Sequence, residues 1–383
     1  MDFELSETHQ QLRDSVRDFA EREVRPKAIE WDKQERFPSE IVPKLAEMGL
    51  LGIRVPEEYG GAAMDTLSYA ISVEEIARVD GSLALTVASH NGLGTGHVLA
   101  FGSEAQKMKY LPKACSGEWL AAWGLTEPGS GSDASGMTTT AKRDASSPDH
   151  WIINGAKMFI TQGSVGGFCV VLAKTTPEKK QKGITAFIVE HGTPGFSASK
   201  HLEKLGMRSS DTCELSFEDV RVHDSQRLGA VDHGFLDTLT ILDKGRVSIG
   251  ALALGLGRGA LELAIAYAKE RKQFGKPIAD FQAIQWMIAD SKAELDAAAL
   301  LVYRAAVLAD AGRPFSREAS MGKLYASEAA TRACQRAVQI HGGYGYTREY
   351  QVERHLRDAK LCEIGEGTSE VQRMVIARHV LGG

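Results

Sequence analysis

Hydrophobic residues in this chain keep one period, then a second, then return to the first, and that order restricts the fold more than any single motif. Leu12, Val16, Phe19, Ala20 and Val24 recur every three or four residues behind a candidate cap at Ser6. Similar spacing over 41–50 and 67–79 predicts further helices, and Ser103 with Gln106 forms a capping box that opens another. Near residue 118 the pattern changes. Segments 168–174, 184–190 and 212–222 read as strands, with turns at Lys182-Gly183 and Pro194-Gly195. Asn154-Gly155, between the apolar runs of 151–160, is a strong hairpin signal. No helical stretch separates these strands, which disfavours a parallel βαβ sheet and predicts a compact antiparallel sheet or barrel. Helical spacing then returns over about 235–274, 281–311 and 316–340, punctuated by Pro277, Gly312-Arg313-Pro314 and Gly342-Gly343. Long helices joined by short loops make antiparallel neighbours, hence a bundle. A last helix is predicted from a second capping box, Ser369 with Gln372. The expectation is an α+β chain with a helical domain over 1–117, an antiparallel β domain over 118–230 and a helical bundle over 231–383.

Composition excludes several function classes. A net charge of -5 leaves no broad basic surface for a nucleic-acid backbone. Five scattered cysteines without a CxxC pair argue against a disulfide framework or a metal site and fit a reducing cytoplasm. The acidic N-terminus lacks the basic and apolar regions of a secretory signal. Residues 81–103 carry no charged side chain, yet His90, Asn91, His97 and several glycines make them too polar for a lipid-facing span. A buried helix or helix pair is expected there, and no membrane.

Two glycine clusters, 129–134 and 255–260, fit GxGxxA. A dinucleotide fingerprint needs a strand before it and a helix after it, and each cluster fails half of that test. The stretch Trp123 to Asp133 still brings the hydroxyls of Thr126, Ser130 and Ser132 to a glycine-rich loop. Asp243 and Arg246, three apart on one helix, read locally as a solvated ion pair. Arg271 to Gly275 reads as a helix end, and Lys179, Lys180 and Lys182 as a solvated hairpin tip. Glu366 is different. It lies between Gly365 and Gly367, just before hydroxyls at a helix N-terminus, where a carboxylate on tight backbone can approach a ligand. A plain helix-entry loop is the alternative.

Together, Thr126-Glu-Pro-Gly-Ser-Gly-Ser-Asp133, Glu270-Arg-Lys-Gln-Phe-Gly275, Gln339-Ile-His-Gly-Gly343, Arg357-Asp-Ala-Lys360 and Glu366-Gly-Thr-Ser-Glu370 resemble the acyl-CoA dehydrogenase family over essentially the whole chain. The resemblance implies a helical domain, a β domain and a C-terminal four-helix bundle, commonly assembled as a homotetramer with one FAD per subunit. It implies that Trp123, Leu125, Thr126, Gly131 and Ser132 line the flavin, with Ser132 also near the substrate entry. Phe159, Ile160 and Thr161, on the second strand of the expected hairpin, would stand beside the isoalloxazine. Arg271, Gln273, Phe274 and Gln282, then Gln339, Gly342 and Gly343, then Thr368 with Glu370, match positions that hold the FAD of a neighbouring subunit. Asp243, Arg246 and Arg378 match residues that bind CoA, and Gly367 lies against the thioester.

Glu366 would then be the base that takes the substrate's α-proton. An ordinary carboxylate is too weak for that, so burial beside the acyl chain is expected to raise its pKa toward neutrality. Some branched-chain members carry the base on a helix, at the position that is Gly245 here. Glu366 with Gly245 therefore implies the straight-chain arrangement. The segments 242–246 and 313–319 resemble the short-chain, butyryl-CoA branch, and the lack of arginine between Arg78 and Arg143 disfavours a dicarboxylate substrate. Phe159 and Gly365 depart from the family, where Trp and an aromatic are frequent. The implied activity is oxidation of a short acyl-CoA to the trans-2-enoyl-CoA in β-oxidation, with electrons passed to an electron-transferring flavoprotein. Rivals are an acyl-CoA oxidase or a short/branched-chain dehydrogenase on the same fold, and a non-catalytic relative; the length, without an added C-terminal domain, and Glu366 weigh against the oxidase and the non-catalytic protein.

Overall fold

In a computed structural model that describes residues 4–382, the side chain of Ser6 accepts the backbone N–H of His9 and starts α1 (Glu7–Phe19). The helix runs through a π turn into α2 (Arg25–Gln34). α3 (Val42–Glu47) and the wholly buried α4 (Thr66–Ala77) follow. The uncharged stretch forms α5 (Gly81–Ser89), a π turn and α6 (Thr95–Phe101), a buried helix pair as its polar content requires. α7 (Glu104–Cys115) opens on the Ser103–Gln106 capping box, with both reciprocal bonds made.

The strands are β1 (Ala121–Gly124), β2 (Thr140–Asp144), β3 (Ser147–Thr161), β4 (Phe168–Lys174), β5 (Ile184–Glu190), β6 (Phe196–Ala198), β7 (Thr212–His223) and β8 (Arg227–Leu228). They form one sheet in the order β6-β7-β3-β2-β4-β5-β8, with β1 on β4. The expectation of an antiparallel sheet needs correcting, because β4 pairs in parallel with β1 and, at one position, with β2. A parallel pair needs only a crossover of a dozen or more residues, usually a helix. Here the loop after β1 and the β2–β3 hairpin supply it.

Asn154-Gly155 does not turn the chain. β3 is continuous through it, and the hairpin turn lies between Asp144 and Ser147. The Asn154 amide pairs instead with the side chain and backbone of Asp219 on β7, while the register shifts between Ile153 and Gly155. Gly155 has φ +144°, and a Cβ there would stand 2.5 Å from Thr139 Oγ1, so the glycine makes a bulge. Phe159, Ile160 and Thr161 consequently end the same strand instead of beginning a second one.

The C-terminal half contains α8 (Gly234–Glu270), α9 (Gln282–Asp310), α10 (Ser316–His341), α11 (Val352–Cys362) and α12 (Ser369–Leu381). At 37 residues α8 is long and apolar enough to cross a membrane, but 72% of its most apolar window is buried inside the protein. It packs against α4, α9, α10 and α11. The cluster at 255–260 serves this packing: a Cβ at Gly255 would lie 2.2 Å from the carbonyl oxygen of Glu74, and one at Gly259 2.1 Å from that of Arg78. The second capping box is corrected by one residue. Thr368 is the N-cap, accepting from Val371 N, and Gln372 turns its amide to the carbonyl of Gly367 at 2.9 Å.

Because the atom facing Gly255 is backbone, Gly255→Ala must push α8 and α4 apart. The expected loss is about 1–3 kcal/mol of folding stability, read from denaturant unfolding followed by far-UV circular dichroism.

Candidate active site

Between α11 and α12 the chain turns through Glu366 in left-handed backbone, φ +53°, and Gly367, φ +94°. Only Gly367 needs to be glycine for its backbone. Gly365 has no positive φ, and a Cβ there would make ordinary contact with Leu361 at 3.5 Å. The turn aims the Glu366 carboxylate at α8, where a Cβ on Gly245 would come within 1.8 Å of Glu366 Oε2 and 3.4 Å of Leu93. Glu366 Oε2 is buried and has no hydrogen-bond partner. Burial drives its pKa up to about 7, against the pull of Lys323 and Arg246. Residues 245 and 366 thus converge, and only Glu366 carries a side chain.

Arg246 and Asp243 pair on α8, but the solvated reading fails: Arg246 is 6% exposed, and Asp243 also accepts Ser316 Oγ at 2.8 Å. Burial lowers the pKa of Arg246 and raises that of Asp243. Asp243 borders a groove of roughly 770 Å³ with Arg304, Arg313, Arg317 and His379, and Arg378 is exposed on α12 beside it in sequence.

The loop after β1 is held by contacts that composition alone does not disclose. Lys157, fully buried on β3, donates to Leu125 O at 3.2 Å and to Glu127 Oε1 at 2.8 Å. Glu127 also accepts the backbone N–H groups of Thr138 and Thr139, the latter at 3.0 Å. Met158 N donates to Thr126 O at 2.8 Å, which ties the loop backbone directly to β3. Burial opposes ionisation of Glu127, yet Lys157 and the Thr138–Thr139 donors hold its pKa down at about 2, while burial lowers that of Lys157 to about 8. Sequence reasoning gave neither residue a role; the only signal was a lysine inside an apolar strand. Trp123 is buried with its indole N–H on His97, and Leu125 is buried. Gly131 and Ser132 are exposed, with nothing within 4 Å of a Cβ at Gly129 or Gly131. At the end of β3, Ile160 is buried, Thr161 half-buried, and Phe159 is 63% exposed in left-handed backbone.

A separate groove of roughly 450 Å³ collects Arg271, Gln273, Gly342 and Gly343 with Tyr267 and His341. Phe274, 93% exposed, and the exposed Gln282 and Gln339 lie outside its lining. Thr368 is engaged as the α12 cap and Glu370 is exposed. The lysines of the β4–β5 turn are exposed, with Lys179 paired to Asp232 at 2.7 Å. Open space above the 129–132 glycines and at Gly342 and Gly343, with uncovered aromatic rings at Phe159 and Phe274, fits a large planar cofactor approached by more than one surface.

Comparison with known proteins supplies the family. Residues 6–118, 122–220 and 232–381 match the N-terminal, middle and C-terminal domain models of acyl-CoA dehydrogenases. A probable acyl-CoA dehydrogenase of Bacillus subtilis is 49% identical over the full length of both chains. Butyryl-CoA dehydrogenase from Megasphaera elsdenii superposes with a TM-score of 0.97 at 42% identity, covering all of both chains. A chain from structural work on the electron transferring flavoprotein of Acidaminococcus fermentans gives 0.98 at 43% identity, again with full coverage of both. The chain belongs to the acyl-CoA dehydrogenase family. It is an FAD-dependent flavin oxidoreductase with the three-domain fold of that family, its middle sheet mixed.

At Gly245 the atom in the way is the end of a flexible side chain. Gly245→Ala should therefore fold and keep its flavin while the Glu366 carboxylate is driven aside. Flavin reduction by butyryl-CoA should slow at least about tenfold, measured by anaerobic stopped-flow absorbance.

Proposed function

We propose that this enzyme oxidises short, straight-chain acyl-CoA thioesters to trans-2-enoyl-CoA with Glu366 as the base, and passes the electrons to an electron-transferring flavoprotein. The observation that carries the reading is the buried, unpartnered Glu366 Oε2 facing Gly245, with a pKa raised to about 7. Such a carboxylate is basic enough to take an α-proton and ionised enough near neutrality to do so. FAD, when bound, supplies the two-electron acceptor for the β-hydrogen. Trp123, Leu125, Thr126, Gly131, Ser132, Phe159, Ile160 and Thr161 hold the flavin in the same subunit. Arg271, Gln273, Phe274, Gln282, Gln339, Gly342, Gly343, Thr368 and Glu370 serve the flavin of a neighbour in a homotetramer, a reading supported by the exposure of Phe274 and the glycine-lined groove. Ser132, Asp243, Arg246, Gly367 and Arg378 bind the CoA ester.

Short-chain preference is supported by likeness to a butyryl-CoA dehydrogenase, and the flavoprotein acceptor by likeness to the Acidaminococcus chain. Five unpaired cysteines fit a cytoplasmic setting.

Glu366→Gln keeps the side-chain volume and removes the base. Flavin reduction by butyryl-CoA should fall about 10²- to 10⁴-fold while FAD content and product-analogue binding persist. A variant that still reduced its flavin at more than about a tenth of the wild-type rate, well short of that loss, would remove Glu366 from the role. Among saturated substrates, C4 to C6 acyl-CoAs should reduce the flavin faster than C12, in the same rapid-mixing experiment. Rates that climb steadily to C12 would overturn the short-chain preference.

A further inference from the structure

Lys323 lies within α10, fully buried, in a position that the reading of Glu366 as base does not by itself explain. Its ammonium donates to the carbonyl of Gly367 at 2.7 Å, one residue beyond Glu366. That carbonyl already receives the Gln372 amide at 2.9 Å, so a second donor is not needed to satisfy it. What Lys323 adds is charge. A buried ammonium is costly unless an anion compensates it, and Lys323 takes part in none of the ion pairs found among the described residues.

Of the carboxylates that act on Lys323, Glu370 on α12 is exposed to solvent and Glu363 is engaged elsewhere, which leaves Glu366 as the buried anion. On α8, the charge of Arg246 is engaged by Asp243. On α4, burial raises the pKa of the Tyr69 phenol; on α11, burial raises that of the Cys362 thiol to about 12, and both are neutral near pH 7. Glu363, at the end of α11, is paired with Lys360 at 2.6 Å and accepts Thr331 Oγ1. Burial pushes the pKa of Lys323 itself down to about 8, with the carboxylates of Glu366 and Glu363 opposing. Glu366 feels both Lys323 and Arg246, and Lys323 is the one without a carboxylate of its own.

We propose that Lys323 is a positioning residue for proton abstraction: its ammonium, bonded to Gly367, fixes the loop that carries Glu366 and supplies the buried positive charge against which that carboxylate ionises. The proposal rests on Glu366 being the base. Loop fixation alone could be performed by a neutral donor; the charge could not.

The test is the pH profile of anaerobic flavin reduction by butyryl-CoA in the FAD-loaded enzyme. Wild type should speed up as pH rises through about 7, where Glu366 loses its proton. In Lys323→Met the midpoint should move up by about one pH unit or more, slowing reduction near neutrality and recovering at alkaline pH. Lys323→Gln, which keeps a donor for Gly367 without the charge, should show the same displacement, and Lys323→Arg should restore the wild-type midpoint. FAD content and product-analogue binding should be unchanged in the Gln and Arg variants. An unshifted midpoint in Lys323→Gln, even with a slower rate, would reduce Lys323 to a brace and overturn the proposal, and that variant decides the matter if Lys323→Met does not fold. Failure of the base assignment reads differently: Glu366→Gln would remain fast and the wild-type profile would be flat across this range.

Discussion

The proposed catalytic arrangement depends on the approach of one carboxylate to a helix that has no side chain at the point of contact. α8 is the central helix of the C-terminal half, and Gly245 leaves it bare where Glu366 arrives from the loop before α12. Two further glycines on the same helix, Gly255 and Gly259, admit the backbone carbonyls of Glu74 and Arg78. The absence of a Cβ therefore has two different uses along α8. Near its N-terminal end the space belongs to the flexible tip of the Glu366 side chain, and farther along it belongs to rigid backbone, where it sets how close two helices can lie.

Around Glu366 the protein builds an environment that opposes ionisation, then tempers it. The carboxylate has no donor on Oε2, and burial alone favours its protonated form. Lys323 and Arg246 pull the other way, so that the residue is balanced near neutrality. The left-handed backbone at Glu366 and the carbonyl of Gly367 are held by buried donors from two helices, Lys323 of α10 and Gln372 of α12. A strained turn persists when its surroundings over-determine it, and Lys323, one of the two donors that restrain this turn, is also one of the two charges that act on its carboxylate.

A second buried charge arrangement organises the loop after β1. Lys157 and Glu127 fasten residues 125–127 to β3 and to Thr138 and Thr139, leaving Gly129, Gly131 and Ser132 at the tip open to solvent. Removing either partner would strand the other charge in the interior, a loss typically of about 3–5 kcal/mol. The loop is thus rigid at its base and accessible at its tip, which suits a surface that must accept a large ligand.

Much of this was legible in the chain itself. The strands 168–174 and 184–190 and the long helices follow from hydrophobic period, and the Ser103–Gln106 box from local capping chemistry, because each depends on residues a few positions apart. The family motifs, Glu366 among them, were also readable as short strings. Where local signals competed with distant partners they failed: Asn154-Gly155 became a bulge because Asp219 on β7 takes the asparagine amide, and Thr368 displaced Ser369 as the cap while Gln372 reached back to Gly367. The parallel placement of β1 beside β4, the burial of Arg246, the Lys157–Glu127 pair and the bond from Lys323 to Gly367 were settled only in three dimensions. Periodicity is imposed by the backbone's own geometry, so the sequence by itself determined which segments are helix or strand. Which buried charges meet is decided by long-range packing that brings distant segments together, and no local pattern records it.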